Sequence, residues 1–425
     1  MNSQKTPSPL LRRELGVFGA TLMGLGSIIG TGVFVSIGIA AGVAGSAVIL
    51  SVAIAAVIAT CNGLNSAQLA ANHAVSGGTY EYGYKYLNPT LGFTAGWMFL
   101  LAKAASAGTA ALGFAGYLLN ATNLGGRGLL IPTAIAIVVL FTLIVLTGIR
   151  RSNLVNIVIV SVSLLSLGFF IAVGLPAVAI EKLTQFPQSI AGVLHGSALM
   201  FVAYTGYGRI ATMGEEARLP RTTIPQAMII TIVITMLLYL LVAITAVGSV
   251  GADVLSVANG GAAPLEVVVS KLGVWGGSQI LAIGAIFAML GVLLNLILGL
   301  SRVLLAMARR QDMPRILARL NRQATPDLAI IAVGCAIALV VLLGNNVKTT
   351  WSFSAFNVLI YYAITNLAAL QIPTEERLYP KWLGWIGLLA CGFLAFWVEW
   401  QIWLLGVALI FVGLGWQKVV RLAIR

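Results

Sequence analysis

The sequence predicts an all-α polytopic membrane protein of about twelve transmembrane helices, with no separate soluble domain. Three observations carry that expectation. Of the 425 residues, 59% are hydrophobic and only 9% are charged, whereas soluble domains carry roughly 25% charge. Apolar runs that reach the roughly 20 residues of a spanning helix recur along the whole chain. Short charged or Gly/Pro-bearing loops separate them, and basic residues crowd into every second loop.

In chain order the runs are 16–40, 44–70, 91–119, 128–148, 153–177, 190–216, 225–249, 277–307, 327–345, 351–372, 381–398 and 400–417. Met1 to Arg13 is polar, and the apolar run after it is too long for a signal-peptide core. No cleavable leader is expected. The net charge of +13 would point to nucleic acid in a soluble protein, but the placement of the charge points to membrane topology. Lys5, Arg12, Arg13, Lys85, Arg150, Arg151, Arg218, Arg221, Arg309, Arg310, Arg315, Arg319, Arg322, Arg377, Lys381, Lys418, Arg421 and Arg425 fall on the side of the N-terminus. Only Arg127, Lys182, Lys271 and Lys348 fall on the other side, and Lys103, Arg209 and Arg302 lie within spans. The positive-inside rule then puts both termini in the cytoplasm of a multi-pass protein of the cell (inner) membrane.

The acidic residues lie in loops or near helix ends, among them Glu14, Glu81, Glu215, Glu216, Asp312, Glu375, Glu376 and Glu399. His73 and His195 lie in a loop and at a helix start. An embedded hydrolase would need an acid or a histidine beside its nucleophile, so no enzyme and no catalytic residue is expected. Cys61, Cys335 and Cys391 lack the paired spacing of a metal site or disulfide and read as packing residues. No Gly-x-x-x-x-Gly-Lys-Ser/Thr loop is present, which excludes an ATP-driven pump of that kind.

Two spans are interrupted. The first contains Gly24-Leu25-Gly26-Ser27-Ile28-Ile29-Gly30-Thr31-Gly32-Val33-Phe34, and the sixth contains Ala203-Tyr204-Thr205-Gly206-Tyr207-Gly208-Arg209. Each glycine disfavours helix by roughly 1 kcal/mol relative to Ala, so the backbone is expected to unwind at Gly30-Thr31-Gly32 and at Gly206-Tyr207-Gly208. Bare N–H and C=O groups are tolerated in a bilayer only where they line a cavity or hold a ligand. Paired breaks in corresponding helices are the strongest sequence pointer to a transporter's central site. A half-helix starting after Gly32 offers N–H groups to a carboxylate, and half-helices ending near Ile28 and Tyr204 offer carbonyls to an ammonium group. Together they describe a socket for an α-amino acid. Packing by small residues alone is the plainer account of any single glycine.

These residues resemble the amino acid–polyamine–organocation superfamily of permeases. The resemblance covers nearly the whole chain and rests on an ordered set of motifs. They are Gly26-Ser27-Ile28-Ile29-Gly30-Thr31-Gly32-Val33-Phe34, Ser76-Gly77-Gly78-Thr79-Tyr80, Phe201-Val202-Ala203-Tyr204-Thr205-Gly206-Tyr207, Glu215 to Pro225, Ser301-Arg302 and Ala306 to Pro314. The resemblance implies a leucine-transporter-like fold of two inverted five-helix repeats with discontinuous helices 1 and 6. The repeats would cover 16–177 and 190–372, with two additional helices at 381–417 and cytoplasmic tails at 1–15 and 418–425. It also implies that Gly30, Thr31 and Gly32 receive the substrate carboxylate. Ile28, Phe201, Ala203 and Tyr204 would receive the ammonium, and the aromatic residues of the sixth span, Tyr207 included, would gate the site.

Two departures from that pattern stand out. Ser163 falls at or near the fifth-span position where many proton-coupled relatives carry a lysine, and Gly208 stands where relatives that take cationic cargo often carry an acid. Lys103, a dozen residues into the third span, is a candidate to replace the missing positive charge, or else a structural lysine whose ammonium bonds to carbonyls. Arg209 is a candidate to contact cargo or to close a gate on Glu215 or Glu216. The expected function is a secondary active symporter or exchanger of amino acids, neutral or small polar ones, with no cofactor and with proton or sodium coupling left open. The expected partners are the amino acid and the lipid bilayer, with no nucleic acid. The alternatives are an amine or polyamine transporter, and a channel or amino acid sensor on the same fold.

Overall fold

The structure, a computed structural model, describes residues 15–75, 77–124, 128–148, 153–184, 189–212, 217–257, 263–321 and 325–424. Most of the chain within them is helix, and apolar composition decides which helices can span a bilayer. The first run is broken into α1 (Val17–Ile28), α2 (Thr31–Phe34) and α3 (Ser36–Ala44), and Gly45, at φ 58°, turns the chain into α4 (Val48–Asn72). Short α5 (Thr79–Tyr86) precedes α6 (Pro89–Ala121), which starts where the Asn88 side chain accepts a hydrogen bond from the Leu91 N–H at 2.9 Å and Pro89 fixes the first turn. Next come α7 (Leu130–Leu146), α8 (Asn153–Gly174) and α9 (Ile180–Leu183).

The sixth run forms α10 (Ile190–Tyr204) and α11 (Gly208–Ala211), followed by α12 (Pro220–Val250). Two short helices, α13 (Ala252–Val257) and α14 (Pro264–Lys271), precede α15 (Gly277–Arg309). The remaining helices are α16 (Asp327–Gly344), α17 (Val347–Leu370), α18 (Lys381–Leu394) and α19 (Trp400–Ile424). Among the described residues nine helical stretches are long and apolar enough to cross a bilayer, and Val17–Ile28, Leu130–Leu146 and Lys381–Trp397 are shorter apolar ones. All twelve expected runs coincide with these helices. The first expected run stops four residues short of Ala44, and the seventh helix starts five residues earlier than expected, because proline is tolerated in a helix's first turn and Pro220, not Pro225, opens it.

Packing sorts the helices into two bodies. Helix α12 packs on α1 and α4, and α4 packs on α10, while α6, α7, α15 and α16 form a second group, with α17 laid across α6, α4 and α10. Polar side chains inside the protein are mutually satisfied where these groups meet. Asn65 donates to Asn366 Oδ1 at 2.8 Å, and Asn366 in turn donates to Asn62 Oδ1 at 2.6 Å, tying α4 to α17. The outward faces of α8, α12, α16 and α19 stay apolar and exposed, as at Leu165, Leu237, Leu343 and Phe411. Such surface is stable only against hydrocarbon.

Each end of the bundle carries its own polar clamp. At one end Tyr80 and Tyr84 of α5 both donate to Asp312 Oδ2, at 2.7 and 2.6 Å, and Glu81 pairs with Arg310 at 2.6 Å. At the other end Glu399 lies 3.4 Å from His195 Nε2 and 3.1 Å from Lys348. Short α14 at this second end buries Glu266, whose Oε2 has no hydrogen-bond partner. Burial pushes the Glu266 carboxyl up to about 7, against an opposing hydrogen bond from Asn120.

A carboxyl held above its ordinary 4.5 binds its proton more tightly folded than unfolded, so stability falls as pH rises from 4.5 to about 7 and stays reduced above that. Glu266→Gln is therefore expected to raise the melting temperature of the detergent-solubilised protein at pH 8, by an amount on the order of 2–3 kcal/mol in stability. At pH 4.5 the variant and the wild type should melt together. A variant that melts lower at pH 8 would show that the charged carboxylate is stabilised in the fold.

Candidate substrate site at the two broken helices

The first break forms because α1 ends at Ile28, where the Ile29 N–H makes the last intrahelical bond, to Leu25 O at 2.8 Å. Gly30 is extended, and α2 starts at Thr31. The first N–H groups of a helix have no intrahelical acceptor, so those of Thr31 and Gly32 face the break. The second break is milder than the full unwinding expected at Gly206-Tyr207-Gly208. It is a 3₁₀ turn over Thr205–Tyr207 between α10 and α11, because i→i+3 bonding can keep part of the ladder that a bare loop would lose.

The two breaks touch. A Cβ added at Gly206 would collide with Ser27 O and would come within 2.5 Å of Ile28 Cγ1; one added at Gly32 would meet Tyr239 Oη at 2.8 Å and Ala203 Cβ at 2.9 Å. Only glycine lets these backbones approach so closely. Tyr239, from the middle of α12, spans the junction, its hydroxyl 2.9 Å from Ile28 O and 3.3 Å from Ala203 O. A single phenolic proton serves one of these carbonyls at a time.

A cavity of about 650 Å³ opens from this junction. Ile28, Thr31, Gly32, Ala203, Thr205 and Gly206 line its deep end, together with Lys103 and Ser106 of α6 and Trp351 of α17. It extends along α15 past Asn295 and Arg302 to Gly77, Glu81, Arg309 and Arg310. Beyond the breaks in the opposite direction the core is closed: Phe34, Tyr117 and Met289 are fully buried, and the Tyr117 hydroxyl donates to Phe34 O at 2.8 Å.

The sequence-expected residues divide. Ile28, Thr31, Gly32 and Ala203 line the cavity, as do Lys103 and Arg209. Gly30 sits in the break itself, with α15 residue Val292 against it. Phe201, Tyr204 and Tyr207 do not line the cavity. Their rings pack away from it, Phe201 and Tyr207 against Tyr362 and Tyr204 against Tyr239, with centroids 5.0–5.6 Å apart. Ser163 is fully buried and bonds to Ile159 O at 2.7 Å within its own helix, so it does not reach the cavity either. The gate candidates Glu215 and Glu216 lie outside the described residues, as do Ser76 and the tail cations Lys5, Arg12 and Arg13.

Several site residues escaped the sequence reading. Thr205 accepts from Lys103 Nζ at 3.0 Å and donates to Val202 O at 2.8 Å. Tyr361 and Tyr362 line the cavity in place of the sixth-helix aromatics, and the Tyr362 hydroxyl donates to Thr205 O at 3.2 Å. Their signal was present as two adjacent tyrosines in an apolar span. Asn295 Nδ2 and Thr31 Oγ1 are buried without partners at the cavity wall. No group of three His, Cys, Asp or Glu residues that could hold a metal ion occurs among the described residues.

The amino acid permease family profile matches residues 19–423. An uncharacterized transporter of Mycobacterium tuberculosis is 37% identical over 98% of this chain and 93% of its own length. The branched-chain amino acid permease of Bacillus subtilis is 27% identical over 97% of this chain and 90% of its own. The methylthioribose transporter of the same organism is 29% identical over 75% of this chain and 72% of its own. The chain belongs to the amino acid permease family. It is therefore a multi-pass membrane transporter and not an enzyme.

If Tyr239 joins the breaks, Tyr239→Phe should lower the thermal stability of the purified protein by about 1–3 kcal/mol, the cost of stranding a buried carbonyl. Gly206→Ala should cost more, since the added carbon meets backbone. Melting curves matching wild type for both variants would contradict the junction.

Proposed function

We propose that this chain is a secondary active permease that carries α-amino acids by alternating access, with its cargo seated between the two breaks. The observation that carries the reading is the pairing of unlike backbone groups at one place. The N–H groups of Thr31 and Gly32 suit a carboxylate, the carbonyls of Ile28 and Ala203 suit an ammonium group, and all four residues line one cavity. Tyr239 donates to one or the other of these carbonyls in the present conformation. A bound ammonium group would share or displace its proton, which makes Tyr239 a residue that registers occupancy.

With the arginine-rich end in the cytoplasm, as the loop charges favour, the cavity is inward-open and the closed side faces outward. Alternating access would then rock the body of α1, α4, α10 and α12 against the body of α6, α7, α15 and α16. Cationic side chains find no free counter-charge on the described wall, whose one acidic residue, Glu81, is already paired with Arg310. Lys103 takes the role of the coupling cation, since Ser163, at or near the position where many proton-coupled relatives carry a lysine, is uncharged. The second reading, cargo that is not an amino acid, is favoured by the methylthioribose transporter among the relatives. Such cargo would leave the Thr31 and Gly32 amides without a carboxylate to bind.

Counterflow in proteoliposomes separates these readings. Radiolabelled amino acids should accumulate against unlabelled amino acids inside, and decarboxylated amines should neither accumulate nor compete. Accumulation of amines or methylthioribose with no response to amino acids would overturn the proposal. If Lys103 carries the coupling proton, wild-type uptake should follow an imposed pH gradient, and Lys103→Ala should exchange cargo without responding to that gradient. An unchanged pH response in the variant would exclude that role.

A further inference from the structure

Lys103 stands out electrostatically among the groups on the cavity wall. It lies mid-way along a membrane-length helix, and its one hydrogen-bond partner among the described residues is the Thr205 hydroxyl, a neutral group. A charged lysine at such depth costs about 3 kcal/mol or more, and buried charges are ordinarily paired. No carboxylate on the described wall is placed to pair with it. Among the described lining residues the basic side chains Lys103, Arg302 and Arg309 stand beside Arg310, which pairs at 2.6 Å with the one acid there, Glu81, at the far end. Asn295 and Thr31 also line this space, and the Asn295 amide nitrogen and the Thr31 hydroxyl are buried behind its surface without partners. Lys103 thus places a positive charge on the cavity wall beside a neutral partner and away from any described acid.

We infer that Lys103 makes the side-chain end of the site selective for a second carboxylate, so that acidic amino acids are preferred over their amides. The inference rests on the amino acid reading above and narrows it to the acidic class. The α-amino and α-carboxylate groups occupy the breaks, and the side-chain carboxylate reaches past Thr205 to the Lys103 ammonium. Thr205 itself bonds onward to Val202 O, so the α6 cation and the α10 backbone are positioned as one unit. Cationic cargo is disfavoured by the same charge. The arginines farther along α15 do not touch the cargo at this depth. They raise the local concentration of anions at the mouth of the cavity.

The test compares glutamate with its near-isosteric amide glutamine, with leucine and a decarboxylated amine as references, in counterflow and in thermal-shift titration of the purified protein. Wild type should show a half-saturation constant at least 10-fold lower for glutamate than for glutamine. Lys103→Gln should bring that ratio close to one, and Lys103→Arg should keep it above one. Thermal-shift titration reads the same ratio from binding alone, so a variant that no longer turns over still reports. Wild-type preference for leucine or glutamine would overturn the inference and leave the amino acid permease intact. A response to the amine alone would overturn that underlying reading instead. If Lys103→Gln weakens glutamate and glutamine equally, Lys103 serves the shared α-carboxylate or the fold, and the inference fails.

Discussion

Free backbone groups inside a bilayer have to find partners, and the architecture of this protein follows from where two helices create such groups. Both breaks lie in the buried interior, and each finds partners in the other's neighbourhood. Tyr239 reaches Ile28 O and Ala203 O, Tyr362 reaches Thr205 O, and Lys103 reaches the Thr205 hydroxyl. Removing Tyr239, which is fully buried off the cavity, would strand a carbonyl where water cannot replace it. The satisfied carbonyls sit beside N–H groups at Thr31 and Gly32 that have no intrahelical acceptor. That asymmetry turns a tolerated defect into a place where a dipolar molecule can bind.

The scaffold around the junction divides stiffness between the two ends. Tyr80, Tyr84 and Asp312 hold α5 to the end of α15, and Glu399 joins His195 of α10 to Lys348 of α17. Glu399 is drawn down to about 2, because the hydrogen bond and charge of His195 outweigh the burial that would raise it. The clamp at His195 sits on the closed side of the cavity, and the Asp312 clamp sits beside its mouth. A transporter needs contacts at each end that can form and release in turn, and polar contacts near the surface release more readily than packed core.

Most of the fold was legible in the sequence, since hydropathy and loop charge report directly on span length and order. The broken helices were legible as well, because glycine clusters mark where a helix is weak, and Ile28 and Tyr204 are indeed the last residues of their half-helices. Side-chain direction was not legible. The rings of Phe201, Tyr204 and Tyr207, expected as gates from their place in the motif, pack onto Tyr362 and Tyr239. The residues that do face the cavity from other helices, Tyr361, Tyr362, Asn295 and Trp351, come from spans far away in the chain, and only tertiary packing brings them there. Lys103 was visible as an anomaly from its position, but the partner that defines its orientation, Thr205, lies 102 residues away.

The central claim is that the cargo occupies the junction of the two breaks and not the wide basic vestibule below it. A cryo-electron microscopy structure of the protein saturated with the amino acid that gives the largest thermal shift tests this most directly. The account predicts ligand density bounded by Thr31, Gly32, Ala203 and Lys103, with the Tyr239 hydroxyl moved from at least one of its carbonyls. Density confined to the Arg302 and Arg309 region, with the Tyr239 bridge unchanged, would contradict it.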